Sequence, residues 1–490
     1  MVMHLTRRAM LVGAASSCAT ATWADAPSTS RRPIVRPFSD NMLVPLIATS
    51  GLSGDVGAVL ADAQTGAILE SYGADMHQPP ASVAKAFTAL YALEHLGPQY
   101  QFETVVFADG SISGGILDGN LILAGGGDPN LVTDQLADLA QRLRAAGITQ
   151  VTGDFCVWDD ALTNLDEIDD SQLDHLGYNP TISGLNLNFN RVHFEWKREG
   201  GDYATFMDAR SDNYRPVVTT SRIRIADRDD PVFTYRDLGQ VDQWTVARTA
   251  LNNAGSRWLP VRHPALYAGE VFATFARSHG IRLSAPKEIE AIPADATQVA
   301  AIQSEPLTEM MRAMMRYSTN ITAEAAGLAA TTAQTGQKWG LRASSARMAR
   351  WAGRRAGGIG PQFADHSGLG DSARITPADM AQFLTAPDVA QTLHPIMKDI
   401  PVRDNAGDAI AALQGAVQAK TGTLNFVSNL AGYLRAKDGR QLAFVIFASD
   451  MAAREIGKLE GGERPTGARR WNRKARDLQH RLLRHWTSGV

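Results

Sequence analysis

Across 490 residues the acidic and basic side chains nearly cancel, 51 Asp and Glu against 48 Lys and Arg, for a formal charge of −3. That balance argues against nucleic acid as a partner, which calls for a broadly basic surface. Apolar residues make up 44% of the chain, ample for real cores, and the length alone predicts roughly three domains.

The first 26 residues read as an export signal. Arg7-Arg8 precede a small apolar run that ends at Ala21, too short to span a bilayer as a mature helix. Thr6-Arg7-Arg8 with Met10-Leu11 behind them has the form of a twin-arginine leader, so a periplasmic location is expected. Residues 27–41, rich in Pro, Ser and Arg, read as a tether. The two cysteines are Cys18, within the leader, and Cys156. The exported chain is therefore expected to hold itself together by packing, without an internal disulfide.

Val56–Leu60 and Ala67–Ser71 are strand-like runs joined by the turn chemistry of Asp62-Ala63-Gln64-Thr65-Gly66, which predicts a hairpin. It feeds into Pro79-Pro80-Ala81-Ser82-Val83-Ala84-Lys85, with a run behind it that is apolar nearly all round and stops at Gly97-Pro98. The prolines block a helix upstream and favour a first turn, and the apolar run predicts a buried helix. Ser82 and Lys85 then lie one turn apart on the same face. A serine needs a base to become a nucleophile, and a buried lysine can supply one once its pKa falls. The plain alternative is a capping serine with an unrelated lysine.

From 101 to 262 the texture is that of an inserted β-rich region, read as two small domains. Turns are expected at Asp109-Gly110 and Asp118-Gly119, and strands at Asn186–Asn190, Val217–Thr220 and Ile223–Ile225. Gly125-Gly126-Gly127-Asp128-Pro129 invites a nucleotide-loop reading, but both phosphate fingerprints are absent and a turn into a helix over 131–146 is expected. The acidic stretch from Asp154 to Asp170 lacks EF-hand spacing, and the histidines form no zinc motif. No metal or cofactor is called for.

Helical periodicity returns over Leu266–His279 and again from Leu307 to Arg316. Tyr317-Ser318-Thr319-Asn320 then forms a short link that can aim Ser318 and Asn320 into one cleft, Ser318 to relay a proton and Asn320 to hold an amide. Both are also ordinary helix-capping residues. Ala416–Thr423 reads as a strand containing Lys420-Thr421-Gly422-Thr423. Lys420 offers a cation, the threonines offer hydroxyls, and Gly422 lets a substrate backbone approach. Two more strands follow, joined at Asp438-Gly439. In the tail, Trp471, Ala475, Leu478, Leu482 and Trp486 form one apolar helical stripe among arginines. It can lie on an anionic membrane surface or pack on the preceding sheet, and its narrowness favours packing.

S-x-x-K at Ser82, S-x-N at Ser318 and K-T-G at Lys420, in that order, resemble the catalytic set of penicillin-binding proteins and serine β-lactamases. The interval of 318 − 82 = 236 residues between the first two, together with Gly126–Pro129, Leu185–Asn190, Ser367-Gly368-Leu369 and Trp471-Asn472-Arg473, is similar to the low-molecular-mass class C penicillin-binding proteins, the D-alanyl-D-alanine carboxypeptidase/endopeptidase family. The resemblance implies an α+β fold: a split catalytic domain of the β-lactamase/transpeptidase type at 27–100 and 263–490, its antiparallel sheet covered by helices. It implies Ser82 as acylated nucleophile and Lys85 as its base, with Ser318 and Asn320 assisting. Lys420, Thr421 and Thr423 would bind the substrate carboxylate, and Gly422 completes the substrate-binding set. The implied partners are peptidoglycan stem peptides and β-lactam antibiotics. His366 stands where the family loop is expected to have glycine. Two rival readings share the motifs, a β-lactamase and a non-catalytic wall-binding protein.

Overall fold

The computed structural model describes residues 42–357 and 360–488; the expected export signal, the tether and Cys18 lie outside them. Six antiparallel strands form the first sheet, in the order Lys398–Asp399, Val417–Leu424, Val427–Arg435, Gln441–Ser449, Asp55–Asp62 and Ile68–Tyr72. The expected hairpins at both ends of the chain are present. Asp55–Asp62 lies directly against Gln441–Ser449, so early and late segments share the centre of one sheet. Nearly every residue of the two strands Val427–Arg435 and Gln441–Ser449 is buried, because helices cover both faces.

On one face lie Lys85–Leu96, Leu307–Tyr317, Asn320–Thr335, Leu341–Ala356 and Pro377–Leu384, in a core that includes Phe87, Met311, Leu328 and Phe383. On the other lie Leu43–Ala48 and the tail helix Ala468–Ser488. The tail stripe is buried: Trp471, Ala475, Leu478, Leu482 and Trp486 pack on Leu430, Phe444 and Ile446. Packing on the sheet, the favoured alternative, is what the chain does. The apolar surface a membrane would have to take up is already in use. Among the described residues no helix is long and apolar enough to cross a bilayer.

The chain leaves this body at Phe102 and returns at Ser304. The two meet: Ser304 N–H donates to the Phe102 carbonyl (2.8 Å) and Phe102 N–H to Ser304 Oγ (2.9 Å). Between them, one sheet is built on the hairpin Glu103–Ser113 and Ile116–Gly125, extended by Thr297–Gln303 on one side and by Phe155–Trp158 with Lys287–Glu288 on the other. Two three-stranded sheets centre on Arg191–Glu199 and Asp242–Ala247. With helices Thr133–Ala145 and Pro264–Ser278 they enclose one apolar core, including Leu136, Phe194, Trp244 and Phe272.

Four local expectations differ from the structure. Val217–Thr220, expected as a strand, has only an isolated bridge between Val217 and Asp208. The insertion does not stop at 262. Helix Pro264–Ser278 belongs to its core and strand Thr297–Gln303 to its sheet. That helix is buried nearly all round, so its periodicity does not say which body it joins. The turn of the first inserted hairpin is at Gly114-Gly115, while Gly110 and Gly119 pair across the ladder. A Cβ at Gly110 would lie 2.2 Å from the Asp118 carbonyl, so glycine there marks close strand approach. Asn188, Phe189 and Asn190 form a left-handed turn in place of a strand, with φ of 51, 60 and 51°. Asparagine tolerates that conformation. Here its amides also bond locally, Asn190 Oδ1 accepting from Leu187 N–H at 3.0 Å.

Candidate active site

The Ser82 turn is pressed onto the sheet. Ala81–Ala84 form a 3-10 turn that runs into the helix Lys85–Leu96. Asn429, from the neighbouring strand, donates its amide to the Pro79 and Pro80 carbonyls (2.7 and 3.0 Å). Gly422 makes the close approach sterically feasible: a Cβ there would sit 2.8 Å from the Pro80 carbonyl and 3.1 Å from the Ser82 nitrogen. Its smallness therefore serves the chain's own turn, where the sequence suggested room for a substrate backbone.

All three motifs converge. Lys85 is fully buried. Its ammonium nitrogen lies 3.0 Å from Ser82 Oγ, 2.7 Å from Asn320 Oδ1 and 2.8 Å from the Ser367 carbonyl. Burial pulls Lys85 down to about 8, against the attraction of Glu324 and Asp365. Lys420 is also fully buried, with Nζ 2.9 Å from Ser318 Oγ and 2.7 Å from the Thr421 carbonyl. Burial, and then the charges of Lys85 and Lys398, push it well below the ordinary lysine range. Ser318 sits in the left-handed region (φ 62°) at the link between two helices, which turns its hydroxyl toward Lys420.

Ser82, Ser318, Asn320 and Thr423 line a cavity of about 440 Å³ together with Tyr178 and Leu369. Thr421 is not in that wall and contributes its carbonyl to Lys420.

Several residues at the site were not singled out from the sequence. Tyr178, in the insertion, accepts the Asn320 amide on its carbonyl (2.7 Å), leaving the Asn320 oxygen to face Lys85. The same inserted loop is tied to the other rim, where His175 Nε2 lies 2.6 Å from Glu463 and Arg257 donates to the same carboxylate at 2.5 Å. The His175 hydrogen bond, with Arg257, holds Glu463 down to about 2. Behind Lys85, Glu324 is a buried carboxylate one turn beyond Asn320 on the same helix. That lone charge in the run Ile321–Leu328 was the available signal. Tyr178 acts through its backbone, so its identity carried none.

The D-Ala-D-Ala carboxypeptidase 3 (S13) family matches residues 42–462. The chain belongs to that family. It is thereby a serine-type D-Ala-D-Ala carboxypeptidase, a hydrolase. It is 24% identical over 431 residues to the D-alanyl-D-alanine carboxypeptidase DacB of Haemophilus influenzae, covering 82% of this chain and 87% of that one. Against a D-alanyl-D-alanine carboxypeptidase of an Actinomadura species it is 26% identical over 470 residues, covering 86% and 85%. The crystal structure of penicillin binding protein 4 from Haemophilus influenzae has the same fold, with a TM-score of 0.72 at 22% identity over 90% of this chain and 99% of that one. That protein has also been solved with a bound β-lactam.

Proposed function

We propose that Ser82 attacks the amide between the two terminal D-alanines of a peptidoglycan stem peptide, forming an acyl-enzyme that water then hydrolyses. The observation that carries this reading is the 3.0 Å contact between Ser82 Oγ and the nitrogen of a fully buried Lys85. Burial disfavours the ammonium, so the lysine is suited to take the serine proton near neutral pH. In this reading the backbone N–H groups of Ser82 and Thr423 receive the developing oxyanion. Asn320 holds the substrate amide. Ser318, bonded to Lys420, passes a proton toward the leaving D-alanine.

Lys420 and Thr423 receive the terminal carboxylate. Among the described residues, Lys420 has cationic neighbours but no acid bonded to it. A substrate carboxylate would supply the missing counter-charge and favour the ammonium. A β-lactam presents a reactive carbonyl and a carboxylate to the same groups, which supports acylation by penicillins. The twin-arginine leader and periplasmic location belong to this proposal, as does endopeptidase action on cross-links.

The test is incubation of the purified protein with muropeptides and identification of the products by mass. Loss of one D-alanine, absent with Ser82→Ala, is expected; intact muropeptides after prolonged incubation overturn the reading. A rapid return of activity after penicillin acylation would favour the β-lactamase alternative.

A further inference from the structure

Glu324 lies behind the site and reaches no cavity-lining group directly. Its two carboxylate oxygens accept the backbone N–H groups of His366 (2.8 Å) and Ser367 (2.9 Å). The Ser367 carbonyl, in turn, accepts from Lys85 Nζ at 2.8 Å. One peptide segment thus connects a buried carboxylate to the lysine that touches Ser82. Asp365 closes the same loop by accepting from Ser367 N–H (2.9 Å), Gly368 N–H (2.5 Å) and Gly370 N–H (2.6 Å).

The charged groups that face Lys85 come from three elements: Glu324 from the helix Asn320–Thr335, Asp365 from the loop, and Lys420 from the strand Val417–Leu424. His366 contributes no charge. Its ring is buried, pushed down to about 3, and bonded to Ser344 at 2.8 Å. The site therefore balances two buried lysines with two carboxylates.

We infer that Glu324 is a positioning residue that sets the protonation of Lys85, both by its buried negative charge and by fixing the Ser367 carbonyl against the lysine nitrogen. An anion in a dry interior acts over several ångströms with little screening. It favours the ammonium, while burial favours the free amine. Burial and the neighbouring Asp365 push Glu324 up out of the ordinary carboxylate range, so the lysine and the glutamate compete for a proton over one pH interval.

This inference rests on the assignment of Lys85 as base, and the experiment separates the two. The rate of acylation by nitrocefin is measured against pH for wild type and Glu324→Gln, with thermal melting to confirm folding. In wild type the rate should rise with pH as Lys85 loses its proton. Removing the neighbouring anion lets Lys85 deprotonate earlier, so in E324Q the rising limb should move to lower pH by roughly one unit. A purely structural role would lower the rate at every pH and leave the limb where it was; that result overturns the inference. Should E324Q fail to fold, Glu324→Asp keeps the charge but withdraws it. Its limb should move the same way by less, and a fixed limb is again fatal. A wild-type protein that nitrocefin does not acylate would instead sink the assignment of the site.

Discussion

His366 and Gly327 are a matched pair. The imidazole fills space beside the helix Asn320–Thr335, and a Cβ on Gly327 would lie 2.3 Å from the ring. Overpacking of this kind costs about 1–3 kcal/mol, so Gly327→Ala should lower the melting temperature. It should also slow acylation by displacing the loop that holds Lys85. In the His366→Gly background the same substitution should cost much less, and a double-mutant cycle with no coupling would refute the pairing. Lys420 invites a different test. Losing a hydrogen bond to a charged group costs about 1.5–3 kcal/mol. Lys420→Ala should therefore slow D-Ala–D-Ala peptides by about 10- to 150-fold relative to an amidated analogue; equal losses on both would show that Lys420 acts on Lys85 instead. The motif residues could be read from the sequence because their chemistry is local: Ser82 and Lys85 are one turn apart, and Lys420 and Gly422 share a strand. Glu324, Tyr178 and Glu463 gain their meaning from neighbours distant in the chain, which no short pattern records.

The inserted element does more than flank the cleft. Its Tyr178 carbonyl orients Asn320, and Asn130 Oδ1 accepts from Thr322 Oγ1 at 2.9 Å on the same helix. An insertion that only selected substrate could be removed without touching the chemistry. Joining Phe102 directly to Ser304, already hydrogen-bonded neighbours, should give a protein that folds but is acylated by penicillin several-fold more slowly, since Asn320 loses its tether. An unchanged rate would show that the Tyr178 contact is dispensable. A cut at 262 should fail to fold, because it strands an apolar helix and the strand Thr297–Gln303 without their partners. The start of the insertion was readable from the change of texture after Pro98. Its end was not, since a helix buried all round looks alike in either body.

The sheet is closed by the tail. The tail helix covers Leu430, Phe444 and Ile446 and places Trp486 Nε1 3.0 Å from the buried Glu70 carboxylate. Each large apolar side chain buried there contributes about 1.5–3 kcal/mol. Truncation after Gly467 should lower the melting temperature markedly and favour aggregation; an unchanged melt would mean that the stripe contributes nothing. The pairing of Asp55 with Ser449 also has a consequence in time. Asp55–Asp62 cannot acquire its inner neighbour until nearly the whole polypeptide has been made, and such distant contacts form slowly. The insertion, whose two ends meet, can order first. Ser82 and Lys85 leave the ribosome together, but Lys420 and the strand that seats the Ser82 turn arrive hundreds of residues later. If Ser82, Lys85 and Lys420 act as proposed, the enzyme is inert for most of its own synthesis, and hydrolytic power is expected only with the last strands of the sheet.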